Sequence, residues 1–351
     1  MLRHCPRATG LRNRRLATPR SCTEGTLSEF RAPWWLRNRH FQTIYASLRG
    51  RMARAPRYRR ERWESPDGDF VDVDFLDHPS QAPMLVLFHG LEGNSASHYS
   101  VAIARETARR GWRFAVPHFR GCSGEMNRLP RAYHSGDSGE IAWLLTRFRA
   151  AAGAAPLYAI GISLGGNALL KWLGESGDHA RAIVTAAAAI CAPLDVRLSG
   201  DALGVGFNRL YTSLFLATMK SKSAAKLARH AGIFDGAAML RSRTLREFDN
   251  VVTAPLHGFR DTDDYWERAS ARPLLTSIGV PTLLINALDD PFVPNAALPD
   301  VHALPACVST DFPSHGGHVG FISGAFPGTF EWLPKRVCDY FENHCQRGMD
   351  G

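Results

Sequence analysis

The chain has 351 residues, of which 45% are hydrophobic, so it is long enough to bury a sizeable core in one large domain or two small ones. Its formal net charge of +9 is uneven: residues 1–62 hold 16 Arg and 3 Glu and carry +13, whereas the remaining residues sum to −4. A slightly acidic body lacks the basic stripe of a nucleic-acid-binding protein, and no apolar run has the length of a membrane-spanning helix, so we expect neither function.

The first 28 residues are basic and contain no apolar signal core. The interpretations that are open are an organellar transit peptide, a disordered basic tail, or a start site assigned too far upstream. We predict a disordered tail over 1–28 and a short second tail over 346–351. The basic N-terminal region is also where we expect any peripheral contact with a membrane.

Beyond this tail, strand-like and helix-like segments alternate along the chain. The predicted strands are 70–76, 84–88, 113–118, 157–161, 182–191, 282–286 and 308–312. Helical patterns follow several of them, at 97–110, 136–150 and 164–175. Continuous apolar strands that alternate with helices are typical of a mostly parallel sheet with helices on both faces. The sequence therefore predicts an α/β domain over 29–345.

The alternation stops between about 195 and 270. Leu210, Leu214, Phe215 and Met219 recur there at loose helical spacing, and no strand pattern is present. The segment is either a set of additional packed helices or a lid above the carboxyl ends of the strands. We predict a helical lid, because the strand pattern resumes beyond the segment.

The segment GISLG at 161–165 matches the pattern GxSxG, which is weak by itself. Here it follows a strand-like run and opens a helix-like one. Nucleophilic serine requires this strand–turn–helix context, because a sharp turn flanked by glycines lifts the hydroxyl above the sheet. The helix also directs its first N–H groups at developing negative charge. Ser163 is the predicted nucleophile, and the alternative is a serine that only caps a buried helix.

A serine nucleophile needs a histidine base and an orienting carboxylate, which follow it in the chain order Ser, Asp or Glu, His. Asp289 and Asp290 follow one late predicted strand, and His315 and His318 follow the next. We prefer Asp290 because a proline follows it and stiffens the loop. We prefer His318 because the two preceding glycines allow the loop to bring its ring to Ser163. Asp289 and His315 are the alternatives.

An oxyanion hole needs two backbone donors near the serine. One is predicted to be the N–H of Leu164, the residue after the nucleophile. The second should come from the loop after an earlier strand, and the glycine-rich HGLEG at 89–93 follows the strand at 84–88. The N–H of Leu91 is the candidate, with the His89 ring holding the loop.

Several longer segments are more distinctive than GxSxG: PWWLRNRHFQT at 33–43, HGLEG at 89–93, HFRGCSGE at 118–125, NRLPRAYHSGD at 127–137, GISLGGN at 161–167, DDPF at 289–292 and HGGHVGF at 315–321. Over most of 30–345 the chain resembles the YheT-like esterase branch of the α/β-hydrolase superfamily, the AB hydrolase 4 family. The resemblance implies the α/β-hydrolase fold, a triad of Ser163, Asp290 and His318, and no metal or organic cofactor. It also implies hydrolysis of short- to medium-chain acyl esters or acylglycerols.

The segment PWWLRNRHFQT has no catalytic role in this prediction. We expect Trp34 and Trp35 to pack the N-terminal segment onto the body, with the arginine stems alongside. The alternative is that its tryptophans and arginines contact a lipid headgroup or a membrane surface.

We therefore expect a serine hydrolase that cleaves small-molecule or lipid esters through an acyl-enzyme. A thioesterase, amidase or acyltransferase on the same triad is the alternative. A non-catalytic binding protein on a hydrolase scaffold is less favoured. The seven cysteines show no paired spacing, which predicts neither a disulfide framework nor a zinc site and favours the cytoplasm. The pattern does not indicate the oligomeric state.

Overall fold

The computed structural model describes residues 29–51 and 55–347. The predicted tail over 1–28 lies outside the described residues, and so do positions 348–351 of the second tail. Within the described residues, no helix is both long enough and apolar enough to cross a bilayer.

Eight strands form one sheet in the order β1-β2-β4-β3-β5-β6-β7-β8. Their bounds are β1 Arg59–Glu64, β2 Phe70–Leu76, β3 Met84–Phe88, β4 Arg113–Pro117, β5 Leu157–Ile162, β6 Ala186–Ile190, β7 Thr282–Ile285 and β8 Val308–Asp311. Strand β2 pairs antiparallel with β1 and β4, and every other pair is parallel. The predicted mostly parallel sheet is confirmed.

Helices cover both faces of this sheet, as its apolar strands require. They are α1 Arg39–Arg51, α2 His98–Arg109, α3 Ser138–Ala152, α4 Leu164–Ser176 and α11 Trp332–Arg347. Alternate residues of one strand enter two separate cores: Val86 packs in the cluster that includes α3 and α4, and Leu87 in the cluster that includes α2 and α11. The three-layer α/β arrangement follows from this alternation.

Between β6 and β7 the chain forms six further α-helices: α5 Val196–Leu203, α6 Asn208–Arg229, α7 Gly236–Arg241, α8 Leu245–Phe248, α9 Ala254–His257 and α10 Thr262–Ala269. No strand lies in this part of the chain, all of which is described. The helices build their own apolar cluster, which also takes in Phe292 and Val293 from the loop after β7. The predicted helical insertion is therefore present, and it packs at the carboxyl ends of the strands.

Two strand predictions need correction. Strand β1 was not predicted, because its sequence RRERWE has the appearance of a solvated charge run. Arg60 and Arg62 instead pair with the buried Asp74 and Asp72 of β2, at 2.6 and 2.7 Å. The strand predicted over 182–191 begins only at residue 186, because a 3₁₀ helix occupies Gly177–Ala182.

Candidate active site

Ser163 lies at the sharp turn between β5 and α4, with φ +52° and ψ −119°. A non-glycine residue with positive φ is strained. The N–H of Ser163 donates to the Ile190 carbonyl at 2.8 Å. The flanking glycines are required by space: a Cβ on Gly161 would lie 2.5 Å from the Gly165 oxygen, and one on Gly165 would lie 2.4 Å from the Phe88 oxygen. The turn therefore has the geometry that the GxSxG pattern predicts.

A continuous chain of hydrogen bonds starts at the Ser163 hydroxyl. His318 Nε2 lies 3.0 Å from Ser163 Oγ, and His318 Nδ1 lies 2.9 Å from Asp290 Oδ2. Asp290 Oδ1 accepts the backbone N–H groups of Phe292 at 2.8 Å and Val293 at 3.2 Å. These donors stabilise a buried, ionised carboxylate, which fixes the tautomer in which Nδ1–H donates to Asp290 and Nε2 accepts from the serine.

The two alternative residues contact each other instead. His315 Nδ1 lies 3.2 Å from Asp289 Oδ2, and Asp289 Oδ1 accepts the N–H of Gly317 at 2.9 Å. No hydrogen bond joins either residue to Ser163 in the described part of the chain. This second pair therefore braces the glycine turn that precedes His318.

The HGLEG loop leaves one backbone donor open. Gly90 N–H donates to the Tyr99 hydroxyl and Glu92 N–H to the Tyr133 hydroxyl, each at 3.0 Å. The N–H of Leu91 lies between them and has no acceptor among the described residues. Two tyrosines thus hold the loop while the amide in the middle remains available.

The second predicted donor, the N–H of Leu164, is the first of α4 and has no intrahelical acceptor. A Cβ on Gly90 would lie 3.3 Å from Ser163 Cβ, so the HGLEG loop passes directly beside the serine. Leu91, Ser163, Leu164 and His318 line one cavity. The HGLEG loop and the start of α4 therefore meet beside Ser163 and His318.

The His89 ring holds the HGLEG loop through two hydrogen bonds. Its Nδ1 lies 2.8 Å from the Gly90 oxygen, and its Nε2 accepts the N–H of Phe119 at 3.0 Å. Burial, followed by the charge of His118, lowers the pKa of His89 to about 3. The neutral ring can therefore donate on one side and accept on the other.

Sequence reasoning missed the support that α1 gives to the histidine. Thr43 Oγ1 accepts the N–H of His318 at 2.9 Å and donates to the Arg39 oxygen at 2.8 Å. The Gln42 amide donates to the Ile322 oxygen and accepts the Ile322 N–H, both at 3.1 Å. Part of the PWWLRNRHFQT segment therefore fastens the loop that carries His318.

The tryptophans of this segment behave differently from each other. Trp35 packs against Tyr45 and Phe326, and its Nε1–H donates to the Gly324 oxygen at 3.3 Å. Trp34 is 84% exposed. The expectation that both would pack the segment onto the body is thus wrong for Trp34.

Cys191 lies directly behind the acid and the base. Its buried sulfur accepts the N–H of Val319 at 3.4 Å. Burial, followed by the Asp290 carboxylate, raises the pKa of this thiol well above its ordinary value. Cys191, Asp290 and His318 place possible metal-ligand atoms within 4.8 Å of one another. Both ring nitrogens of His318 are already engaged, by Asp290 and by the Ser163 hydroxyl, so we interpret the cluster as a hydrogen-bonded one.

The cavity encloses about 1250 Å³ including its open mouth. One wall is apolar and comes largely from the insertion, with Val196, Leu203, Phe215, Met219, Leu245, Phe248, Val252 and Leu256. The lining also includes Glu92 and Lys222, which form an ion pair at 2.8 Å. A large, mostly apolar cavity with few polar groups is typical of sites for small organic ligands.

Lys226 and Asp249 are among the other ionisable residues that line the cavity. Lys226 donates to the oxygens of Leu129 and Arg131 at 2.9 and 2.8 Å, and burial lowers its pKa to about 8. Burial raises the pKa of Asp249 to about 6, although Trp266 donates to it at 2.8 Å. Neutral hydrogen-bonding partners therefore surround both groups.

A mostly parallel sheet, a serine on a strained strand-to-helix turn, and an acid and a histidine after later strands together define an α/β hydrolase.

Comparisons with known proteins agree. Residues 83–325 match the family described as the alpha/beta hydrolase fold. The YheT protein of Escherichia coli (strain K12), an esterase by name, is 40% identical over 88% of this chain and 92% of its own length. Human phospholipase ABHD3 is 29% identical over 84% of this chain and 74% of its own length. The Pyrococcus furiosus esterase Pf2001 matches with a TM-score of 0.53 at 14% identity, over 82% of this chain and 92% of that one, which shows the fold alone.

The chain belongs to the α/β-hydrolase family and, within it, to the YheT-like branch that its motifs resemble. It is a carboxylic ester hydrolase of the esterase and lipase type.

Proposed function

We propose that the protein cleaves carboxylic esters by two-step acyl transfer on Ser163. The observation that carries this proposal is the chain of hydrogen bonds from the Ser163 hydroxyl through His318 to the buried Asp290. In the first step His318 Nε2 takes the hydroxyl proton while Oγ attacks the ester carbonyl. Asp290 stays ionised and stabilises the imidazolium that forms.

The tetrahedral intermediate places a negative charge on the former carbonyl oxygen. We assign its stabilisation to the N–H groups of Leu91 and Leu164, which line the cavity beside Ser163. Losing one such donor typically costs about 3 kcal/mol in the transition state. The hydrogen bonds from the loop to the Tyr99 and Tyr133 hydroxyls support this assignment, because they hold the loop beside Ser163.

Collapse of this intermediate breaks the bond to the alcohol, and His318 gives its proton to the leaving oxygen. Water then takes the place of the alcohol. His318 removes a proton from it, the hydroxyl attacks the acyl-enzyme, and the carboxylic acid leaves with Ser163 reprotonated.

We propose short- to medium-chain acyl esters or acylglycerols as substrates. The apolar wall contributed by the insertion supports an acyl chain in this cavity. The names of two relatives, an esterase and a phospholipase, support an ester and, for the second, a lipid. The same chemistry would allow a thioesterase, an amidase or an acyltransferase.

Matched panels of esters, thioesters and amides with a common acyl group test this proposal, with and without an alcohol acceptor. We expect wild type to favour esters and Ser163→Ala to lose turnover of all three. Preference for thioesters or amides, or transfer to the alcohol in place of hydrolysis, would reassign the reaction. No turnover of any substrate by folded wild type would favour a binding protein on this scaffold.

We also propose one hydrolase domain over 29–345 with the insertion as its cap, and a cytoplasmic location. Unbridged thiols at Cys122, Cys191, Cys307 and Cys338 support a reducing compartment. Membrane contact through the basic tail remains a prediction, because that tail lies outside the described residues.

A further inference from the structure

Helix α6 of the insertion has apolar residues on two faces. Phe215 and Met219 point to the cavity and line it. Phe207, at the N-terminal cap of the helix, and Leu214 are 50% and 62% exposed, and Leu210 is exposed between them. The spacing i, i+3, i+7 puts these three residues on one side of the helix. One helix thus separates the cavity from an apolar surface.

This surface continues onto α1. The His40 ring lies 4.5 Å from the Phe207 ring, and His40 Nδ1 lies 3.3 Å from the Tyr211 hydroxyl. The next residue, Phe41, is exposed, and so is Trp34 in the short 3₁₀ helix that precedes α1. An apolar surface shared by two elements is larger than the single exposed hydrophobics that soluble proteins ordinarily carry.

The two chain segments that form this surface contain basic residues and no acidic ones. The sequence has no Asp or Glu between residues 30 and 60 or between 202 and 234. Arg37, Arg39 and Arg209 are exposed, and no carboxylate lies within 4.0 Å of them in the part of the chain that the structure describes. Exposed apolar side chains are therefore interspersed with unpaired cations.

We propose that this α1–α6 face, made of Trp34, Phe41, Phe207, Leu210 and Leu214 with Arg37, Arg39 and Arg209, binds an anionic lipid surface. Apolar side chains enter the boundary between headgroups and acyl chains, and arginines contact the anionic headgroups. A second copy of the chain fits less well, because a symmetric contact would bring arginines against arginines. Together with the proposed ester hydrolysis, on which this inference rests, α6 contacts lipid on one side and the acyl cavity on the other.

Sedimentation with vesicles tests the binding without requiring catalysis. The full chain is mixed with phosphatidylcholine vesicles, with or without about a third of phosphatidylglycerol. We expect wild type to sediment with the anionic vesicles and Phe207→Ser/Leu214→Ser to bind at least about tenfold more weakly. The matched control is Leu240→Ser on α7, which alters a side chain that is 61% exposed outside this face.

A charge variant provides a second measurement. Arg37→Glu/Arg209→Glu should lose binding to the anionic vesicles and leave any binding to pure phosphatidylcholine unchanged. Thermal unfolding confirms that each variant is folded, which we expect because all four substituted side chains are exposed. Unchanged binding in both double variants would assign vesicle contact to the basic tail and overturn the proposal.

Kinetics separate this inference from the proposed function. Phe207→Ser/Leu214→Ser should hydrolyse a water-soluble short-chain ester like wild type, and a vesicle-embedded ester more slowly. Equal loss on both esters would contradict a lipid-binding role. Absence of hydrolysis by wild type would reject the proposed function while sedimentation still decides the binding. Dimers in light scattering that the double variant abolishes, without vesicle binding, would assign the face to a second copy.

Discussion

Two acid–histidine pairs lie next to each other in the loops after β7 and β8. Asp290 and His318 form one, at 2.9 Å, and Asp289 and His315 form the other, at 3.2 Å. The His318 side chain is 11% exposed and that of His315 is 45% exposed. Asp290 and His318, the inner pair, are therefore largely buried, whereas Asp289 and His315, the outer pair, are partly exposed to water.

The surroundings of the two pairs also differ. Two backbone N–H groups donate to Asp290, and the Phe292 ring packs on His318 with centroids 4.2 Å apart. Water screens the outer pair, and even fully charged pairs at the protein surface contribute only about 0–1 kcal/mol. We infer that the outer pair shapes the loop and that the inner pair performs the chemistry.

The largest expected effect separates the two carboxylates. Asp290→Asn keeps the size of the side chain but stabilises the wrong tautomer of His318, so kcat should fall by about 10⁴-fold. Asp289→Asn should lower kcat by less than about tenfold, because only the brace on Gly317 is weakened. Steady-state kinetics on one ester measure both. A larger loss in the Asp289 variant would exchange the two roles.

The next effect concerns the support of the inner histidine by α1. Thr43→Val removes the acceptor of the His318 N–H and leaves a partly buried donor unpaired. We expect kcat to fall by about 10- to 100-fold with KM little changed, because only the position of the base is altered. Thr43→Ser, which keeps the oxygen, is the matched control and should restore most of the rate. Equal rates in the valine and serine variants would exclude this positioning role.

A third histidine extends the comparison to pH. His98 Nε2 lies 2.9 Å from the Val319 oxygen, and burial lowers the pKa of His98 to about 4. Unfolded histidine, with a pKa near 6.5, binds a proton that folded His98 does not, so its contribution to stability is full above pH 6.5 and falls as pH drops towards 4. Chemical unfolding between these pH values should show a smaller pH slope in His98→Gln than in wild type.

The control for that slope is the exposed His315, whose replacement by Gln should leave the slope close to that of wild type. An equal slope in wild type and His98→Gln would show that His98 does not stay neutral in the folded protein.

The smallest expected effect is that of His315→Ala on activity. Because water surrounds His315, kcat should change by less than about threefold and the free energy of unfolding by no more than about 1 kcal/mol. A loss comparable to that of His318→Ala would mean that the outer pair takes part in catalysis.

Much of the site could be predicted because its parts follow strand ends. Carboxyl ends of parallel strands meet at one edge of the sheet, so chain order alone brings Ser163, Asp290 and His318 together. The preference for Asp290 and His318 over their neighbours agrees with the geometry, although the residue pattern left both pairs open. The helical insertion was visible as a break in the strand pattern.

Other parts had no local signal. Thr43 contacts a residue 275 positions away, and the sequence contains nothing that pairs the two. Strand β1 could not be predicted from its charged sequence, because the partners of its arginines, Asp72 and Asp74, lie on another strand. Trp34 shows that a tryptophan in a distinctive motif need not be buried.

The identity of the nucleophile is tested most directly by covalent labelling with a fluorophosphonate, followed by peptide mass spectrometry. If Ser163 is the nucleophile, we expect one adduct, on Ser163 of wild type, and none in folded Ser163→Ala. Labelling should also slow strongly in His318→Ala, because the serine then lacks its base. An adduct on another residue, or equal labelling of wild type and Ser163→Ala, would show that Ser163 is not the nucleophile.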